Sequence, residues 1–329
     1  MKNARKFSWD EYFDNQLQYN TAENGTALFD NTSINNYYIF NCYFEECNEN
    51  GAIFIKSANQ ICTLIEDSAF NNCSSTTYGG SVYYECEREG QFVQQRTCYT
   101  KSVARNRMSF HQSVKPSSSY KNYVIDVSVS KCGENESERW GTLNIAYGVI
   151  CFSKNNVTNN KCFDYSSLDV YLDGSLSNCN FSTFRGNIQI FGTGSLYFFT
   201  RDESKYQTVS YCKIIGNQCG SNGGGVLFSS SCTTNVDHCI FLNNIAKYMF
   251  MQYWLNLTIS DSYIQSNSTY PTGGTVTFKN LKENCDFYNY SYFNIEIDFL
   301  ESEKIISYKL SYLFQFTKSA APQLLSLNK

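Results

Sequence analysis

Two histidines, fifteen cysteines and a thin scatter of acids are the side chains that catalysis would have to draw on in this 329-residue chain. An acid, an imidazole and a thiol stand side by side once, in Asp237-His238-Cys239, and these are the types of a nucleophile constellation. Neighbours on an extended strand point to opposite faces. The three therefore do not converge, and the expected arrangement is a surface imidazole beside a buried thiol. His111 falls in a polar stretch with no acid or thiol beside it. Acids able to work in pairs on a sugar bond, or to bind Ca²⁺, are Glu66, Asp67, Asp237 and Asp261. All four precede the Ser or Cys of a recurring pattern. Stacked corners would bring Asp237 and Asp261 close, although turn acids commonly bond to their own backbone.

Other features with a chemical reading resolve into architecture. Gly223-Gly-Gly225 leads into Val-Leu-Phe with no Lys-Ser/Thr after it, so it is a corner and not a phosphate loop. The cysteines are odd in number and include no C-x-x-C pair, which excludes zinc ribbons and thioredoxin-like sites; buried free thiols behave as small hydrophobes. N-x-S/T sequons at Asn24, Asn156, Asn180, Asn256 and Asn289 would accept glycans on an exported chain. Tyr83, Tyr84, Tyr171 and Tyr197 could stack on sugar rings if they stand on an outer face, ordinary packing being the commoner use. No catalytic residue, cofactor-binding residue or metal ligand is singled out, and no cofactor is expected.

The elements that would position these residues are strands. Three prolines, 26 Tyr and 25 Phe, with 42% hydrophobic and 17% charged residues, describe an ordered, largely extended chain. A net charge of -4 offers no broad basic field for nucleic acid. The first residues, MKNARKFSWDEYF, lack a secretory apolar run, and no stretch nears the ~18 apolar residues of a membrane span. Read literally, that is a cytoplasmic chain.

A period exists. An aliphatic residue, two variable residues, Cys or Ser, one variable residue, Phe or Ile, two more, then Cys, Asn or Phe, fits six times. The fits are Ile39-Cys42-Phe44-Cys47, Ile65-Ser68-Phe70-Cys73, Leu176-Cys179-Phe181-Phe184, Val209-Cys212-Ile214-Asn217, Val236-Cys239-Phe241-Asn244 and Ile259-Ser262-Ile264-Asn267. Glycine-led alternating runs follow most of them, as in Gly51-Ala-Ile-Phe-Ile and Gly274-Thr-Val-Thr-Phe, and a further strand precedes each, as in Ile61-Cys-Thr-Leu-Ile. One coil cannot hide its apolar face alone; stacked coils can. The spacing predicts an all-β fold: a single-stranded right-handed parallel β-helix with about three strands per coil. Phe44, Phe70, Phe181 and Phe241 are expected to form an internal ladder, cysteines a second, and Asn217, Asn244 and Asn267 a corner ladder whose amides bond to one another.

Residues 1–34 are read as an N-terminal cap, with Ser8 and Glu11 at capping-box spacing for a short helix. The β-helix is placed at 35–298, with strands at Tyr123 to Val129, Thr142 to Ile145 and Val149 to Phe152, and Cys132 and Cys151 near corners. The polar stretch at about 85–121 is a long loop or a divergent coil. Residues 299–329 are a C-terminal cap or tail, in which Ile306, Tyr308, Leu310, Tyr312, Phe314 and Phe316 alternate with polar residues.

The runs Cys42-Tyr-Phe-Glu-Glu-Cys…Gly51-Ala-Ile-Phe and Ile259-Ser-Asp-Ser-Tyr-Ile-Gln-Ser-Asn…Gly273-Gly-Thr-Val-Thr-Phe resemble coils of the pectate-lyase-like superfold. More narrowly they resemble the polymorphic-outer-membrane-protein-like β-helix proteins of parasitic protists such as trichomonads, over about residues 35–290. That resemblance implies a cell-surface, adhesin-like protein whose partners are carbohydrate or a host-surface protein. Leu64-Ile-Glu-Asp-Ser-Ala-Phe also resembles a BspA-like leucine-rich repeat, but its continuation, Gly79-Gly-Ser-Val-Tyr, does not. The Asp-Asp and Gly-His-Gly elements of polygalacturonase-like hydrolases are missing. The functional expectation is a non-enzymatic β-solenoid presenting an extended binding surface; the alternative is a carbohydrate-active β-helix enzyme, a polysaccharide lyase or glycoside hydrolase.

Overall fold

Runs of two to five residues that alternate apolar and polar can bury one face only, so each needs a like run above and below it. The computed structural model satisfies this by winding the chain into a parallel β-solenoid. It describes residues 9–13, 19–21, 25–32, 34–133, 140–172, 177–192, 194–222 and 224–284. Three main sheets make the walls. Sheet one has 11 strands, from Tyr19–Thr21 to Thr275–Lys279; sheet two has nine short ones, from Tyr43–Glu45 to Tyr263–Ile264. Sheet three has nine, from Leu28–Asp30 to Tyr248–Gln252. A narrow strip lies between sheets two and three. It comprises Ser74–Tyr78 with Val103–Asn106, and Lys161–Cys162 with Ile188–Phe191 and Gln218–Asn222.

The chain runs from sheet one to sheet two and on to sheet three, the strip strands falling between the last two in the coils that have them. Sharp bends on either side of sheet two use residues in the left-handed region. Asn41, Asp67, Arg96, Asp126, Lys154, Phe181, Tyr211, His238 and Asp261 hold the first bend; Glu46, Asn72, Lys101, Lys131, Asn159, Gly186, Gly216 and Asn243 hold the second. Asn, Asp and Gly tolerate this conformation best, which accounts for the turn chemistry of the repeat.

The inward column of sheet two reads Phe44, Phe70, Tyr99, Val129, Val157, Phe184, Ile214, Phe241 and Ile264. Its first rings stack at 5.1 and 4.7 Å. Three of the four expected ladder members lie in it. Phe181 does not: it occupies the first bend at φ 50° and is 46% exposed, while Phe184 takes the core place. The repeat template also fits three residues early, at Leu176, because Phe181 and Phe184 are the same residue type. Pairing Cys179 with Val209 fixes the true register as Cys179, Ser182, Phe184, Asn187.

Cysteine and asparagine share the corner column after sheet two. Cys47, Cys73 and Cys132 occupy it first. Then Asn160, Asn187, Asn217 and Asn244 form an amide ladder: each side-chain oxygen accepts from the backbone N–H of the coil before, at 3.0 Å for Asn187, Asn217 and Asn244. Each of these amide nitrogens donates to a carbonyl one coil back, at 2.7 to 3.1 Å. The expected bond between amides of adjacent coils is present from Asn160 to Asn244; Asn267 is exposed.

The 14 described cysteines are free, and all but Cys98 and Cys151 are buried. Burial pushes the thiols of Cys62, Cys73 and Cys132 up to about 12 and those of Cys212 and Cys239 well above the ordinary range. Because the thiolate is the reactive form, a disulfide reagent at pH 8 is expected to label Cys98 and Cys151 first in the native chain. The buried set should react only after denaturant is added; prompt labelling of Cys212 or Cys239 without denaturant would contradict this packing.

Residues 85–121, read as loop or divergent coil, hold strands at Gln91–Gln95, Cys98–Thr100 and Phe110–Ser113, each in register with the coils on either side, and a strand at Val103–Asn106 that pairs with Ser74–Tyr78 across a register shift. Their polarity is internal. Gln94 donates to Gln112, Gln112 donates to Asn122 at 2.6 Å, and Asn122 donates to the Ala146 carbonyl at 2.8 Å, while the Tyr99 hydroxyl donates to Gln94 at 2.7 Å. Fully hydrogen-bonded, such a chain is tolerated inside a core.

Trp9–Phe13 forms one helical turn. Trp9, Tyr12 and Phe13 pack with Tyr38, Cys62, Leu64 and Val93 in a second apolar cluster, on the outer side of sheet one. Chain contacts separate Met1–Glu283 from Asn284–Lys329. Ser8 and the alternating run from Ile306 to Phe316 lie outside the described residues.

Candidate functional site

The parallel register stacks like on like, so every outward position becomes a column. The central column of sheet one reads Tyr38, Leu64, Val93, Tyr123, Cys151, Asn178, Thr208, Asn235, Thr258 and Thr277. Its chemistry changes along the axis. Tyr38, Leu64 and Val93 are buried beneath Trp9 and Phe13. From Asn178 onward the column is hydroxyl and carboxamide, and nothing among the described residues covers it. Beside it run Asn180, Ser210, Asp237 and Ser260 on one flank and Tyr206, Thr233, Asn256 and Thr275 on the other. Rows repeat about every 4.8 Å along the axis. Tyr206 and Trp254, 44% and 58% exposed, border this face.

The first bend makes another column. Asp67 and Arg96 pair at 2.9 Å, Asp126 and Lys154 follow with alternating sign, and then Phe181, Tyr211 and His238 stack at 5.1 and 5.0 Å. Rings stacked along the axis turn their faces to one another and only their edges to solvent.

The expected pair Asp237 and Asp261 is not brought into one row. Asp237 is level with Ser260, which donates to it at 2.9 Å. Asp261 sits one position on, in the bend, paired with Lys282 at 3.1 Å. Glu66 is buried, accepting from Tyr38 at 2.6 Å and Gln95 at 2.7 Å and paired with Arg96. His238 does touch Asp237, Nδ1 to Oδ2 at 2.6 Å, but Cys239 turns into the core and donates to the Asp237 carbonyl. Gly225 is a left-handed corner residue as expected. Tyr84 is wholly inside; Tyr83 is sandwiched between Phe54 and His111, and Tyr197 is stacked on Tyr165. Tyr171 meets Phe199 edge-on. These four tyrosines are packing residues.

One cluster was not anticipated. The outward column of sheet three runs Phe54, Tyr83, His111, Asn144, Asp169 and Tyr197. Side chains from the strip side fold over it: Tyr78 lies 5.5 Å from the His111 ring, and Tyr165 covers Tyr197 at 4.9 Å. Beneath them Arg107, at the end of the strip, pairs with Asp169 at 2.6 Å and lies 5.5 Å under the Tyr165 ring. Asn144 donates to Asp169 Oδ2 at 3.1 Å. Burial raises the Asp169 carboxyl to about 6 against the pull of Arg107, with Asp164 adding to the rise. Burial, reinforced by Arg107, pushes His111 down to about 3. Arg107 lies in the stretch whose internal glutamines obscured the period, so no sequence signal tied it to Asp169, 62 residues on.

Among the described residues no group of three His, Cys, Asp or Glu is placed to hold a metal ion, and no helix is long and apolar enough to cross a membrane. No protein-family model, curated protein or solved structure matches the chain.

Proposed function

We propose that this chain is a non-enzymatic binding solenoid whose working surface is the uncovered half of sheet one. The observation that carries this reading is the change in the central column from buried apolar residues to Asn178, Thr208, Asn235, Thr258 and Thr277 where the helical turn no longer covers it. Thr and Asn there offer both donors and acceptors in regular rows and leave little charge to pair. An extended, neutral, hydroxyl-bearing partner fits: carbohydrate, or a glycan-bearing host-surface protein. The resemblance of the coils to polymorphic-outer-membrane-protein-like and pectate-lyase-like β-helices supports a surface, adhesin-like role.

The test is binding of the intact chain to immobilised polysaccharides and to glycosylated cell surfaces. Replacing Thr208 and Thr258 together by Glu should weaken binding at least about tenfold while leaving the thermal midpoint unchanged, since both are outward surface positions. Wild-type binding by this variant would remove the reading. A second reading, a carbohydrate-active enzyme, is favoured by one observation: Arg107 and Asp164 both act on Asp169 beneath sheet three's outer covering. The burial of both carboxylates opposes access by a polymer. Release of reducing ends from any tested polysaccharide, lost in Asp169→Asn, would establish it over the first.

A further inference from the structure

The covered column of sheet three encloses two carboxylates and one guanidinium. Asp169 is fully buried and Asp164 nearly so. Arg107 is the cation that faces Asp169, bonded to its Oδ2 at 2.6 Å, whereas Asp164 accepts from Gln189 at 3.2 Å. His111, on the strand before Asn144, supplies no charge, being neutral throughout the mild pH range. Tyr165 from the strip side, Tyr197 from the next strand and Tyr171 further along Asp169's own strand are the other titratable groups facing the pair, and all are held protonated by burial. Cys162 is likewise held as the thiol. Arg107 is thus the one cation among these groups that is bonded to Asp169.

The hydrogen bonds around Asp169 are incomplete. Asp169 Oδ2 is used by Arg107 and Asn144, whereas Oδ1 is buried with no partner. Arg107 Nε is buried and unpartnered as well, so the carboxylate–guanidinium fork is half made. A buried carboxylate oxygen left without a donor is relieved most directly by taking up a proton.

We propose that Asp169 is a proton-binding site through which mild acidification fastens, and does not release, the covering of sheet three. The proton adds to Oδ1 and no bond breaks. Oδ2 continues to accept from Arg107 and Asn144, and Asp164 keeps its bond from Gln189. The folded chain then holds a proton that the unfolded chain does not, since an unfolded Asp titrates near 3.9. Folded stability from this group must rise as pH falls from about 6 toward 4.

The experiment is urea unfolding of the full chain between pH 7 and pH 4, wild type against Asp169→Asn. Over that window the wild-type folding constant should gain up to about tenfold per pH unit relative to the variant. Equal pH slopes would overturn the proposal. Should Asp169→Asn not fold, Asp164→Asn serves instead: removing the neighbouring negative charge should move the gain to lower pH, and an unmoved window would count against it. Infrared difference spectra of the native wild type supply a reading that needs no variant. A protonated-carboxyl band should grow in between pH 7 and pH 5, and its absence would end the proposal.

Discussion

Replacing Arg107 by Met is expected to lower folding stability by about 3–5 kcal/mol at pH 7, because it strips the cation from the buried Asp169 carboxylate while keeping most of the side-chain volume. The pair is not an exposed surface bridge of small worth. Asp169 is completely buried, and Arg107 is 13% exposed under the Tyr165 ring. The loss should shrink at pH 5, where Asp169, raised to about 6, becomes protonated and no longer needs a partner. Chemical denaturation at the two pH values checks both statements. A loss of under about 1 kcal/mol at pH 7 would mean that the covering of sheet three is open to water and that the ion pair is worth no more than a surface one.

Phe184→Ala should cost about 3–5 kcal/mol, whereas Phe181→Ala should cost less than about 1 kcal/mol, although the two residues are three apart and of one type. Phe184 is fully buried between Val157 and Ile214 in the inward column of sheet two, and truncation there leaves a cavity that stacked backbones cannot close. Phe181 stands in the bend with its ring against Tyr211. An Ala at φ 50° keeps the backbone strain that Phe already bears, so only the stacking is lost. Equilibrium unfolding of the two variants reads the register of the solenoid directly, and the opposite order of losses would restore the alignment that put Phe181 inside.

Those two phenylalanines show what the chain discloses and what it hides. Alternation of side chains, glycine-led strands and the Cys-x-Phe spacing were enough for a parallel β-helix, because a period of two within a period of about 26 residues has few other physical solutions. Register was legible where the pattern was flanked by unlike residues, as at Val209-Cys212-Ile214-Asn217. It was not legible at Leu176, where either phenylalanine satisfies the template. The stretch from Glu85 to Lys121 disguised a regular coil, since Gln94, Gln112 and Asn122 point inward and satisfy one another, which composition alone reads as solvent exposure.

The candidate sites divide in the same way. Columns of hydroxyls and amides on sheet one were implicit in Thr208-Val-Ser210, Asn235-Val-Asp237 and Thr258-Ile-Ser260 once the strands were placed. What the sequence could not show was that Trp9, Tyr12 and Phe13 cover the earlier half of that face and leave this half bare. The Arg107 and Asp169 pair depends on a bend at Arg107, in the left-handed region at φ 57°, that sends its side chain over the outer side of sheet three. Long-range pairs of this kind leave no local pattern. Asp237 and Asp261 failed as a pair because the positions are offset by one, and in a solenoid one residue separates the flat face of a sheet from its bend.

A crystal structure of the intact chain tests the winding most directly, through a single comparison of neighbouring columns. It should place Asn187, Asn217 and Asn244 one above another inside the corner after sheet two, with Thr208, Asn235 and Thr258 in line on the outer face of sheet one. A chain in which those asparagines face solvent, or in which those three polar residues fall on different walls, would contradict the account.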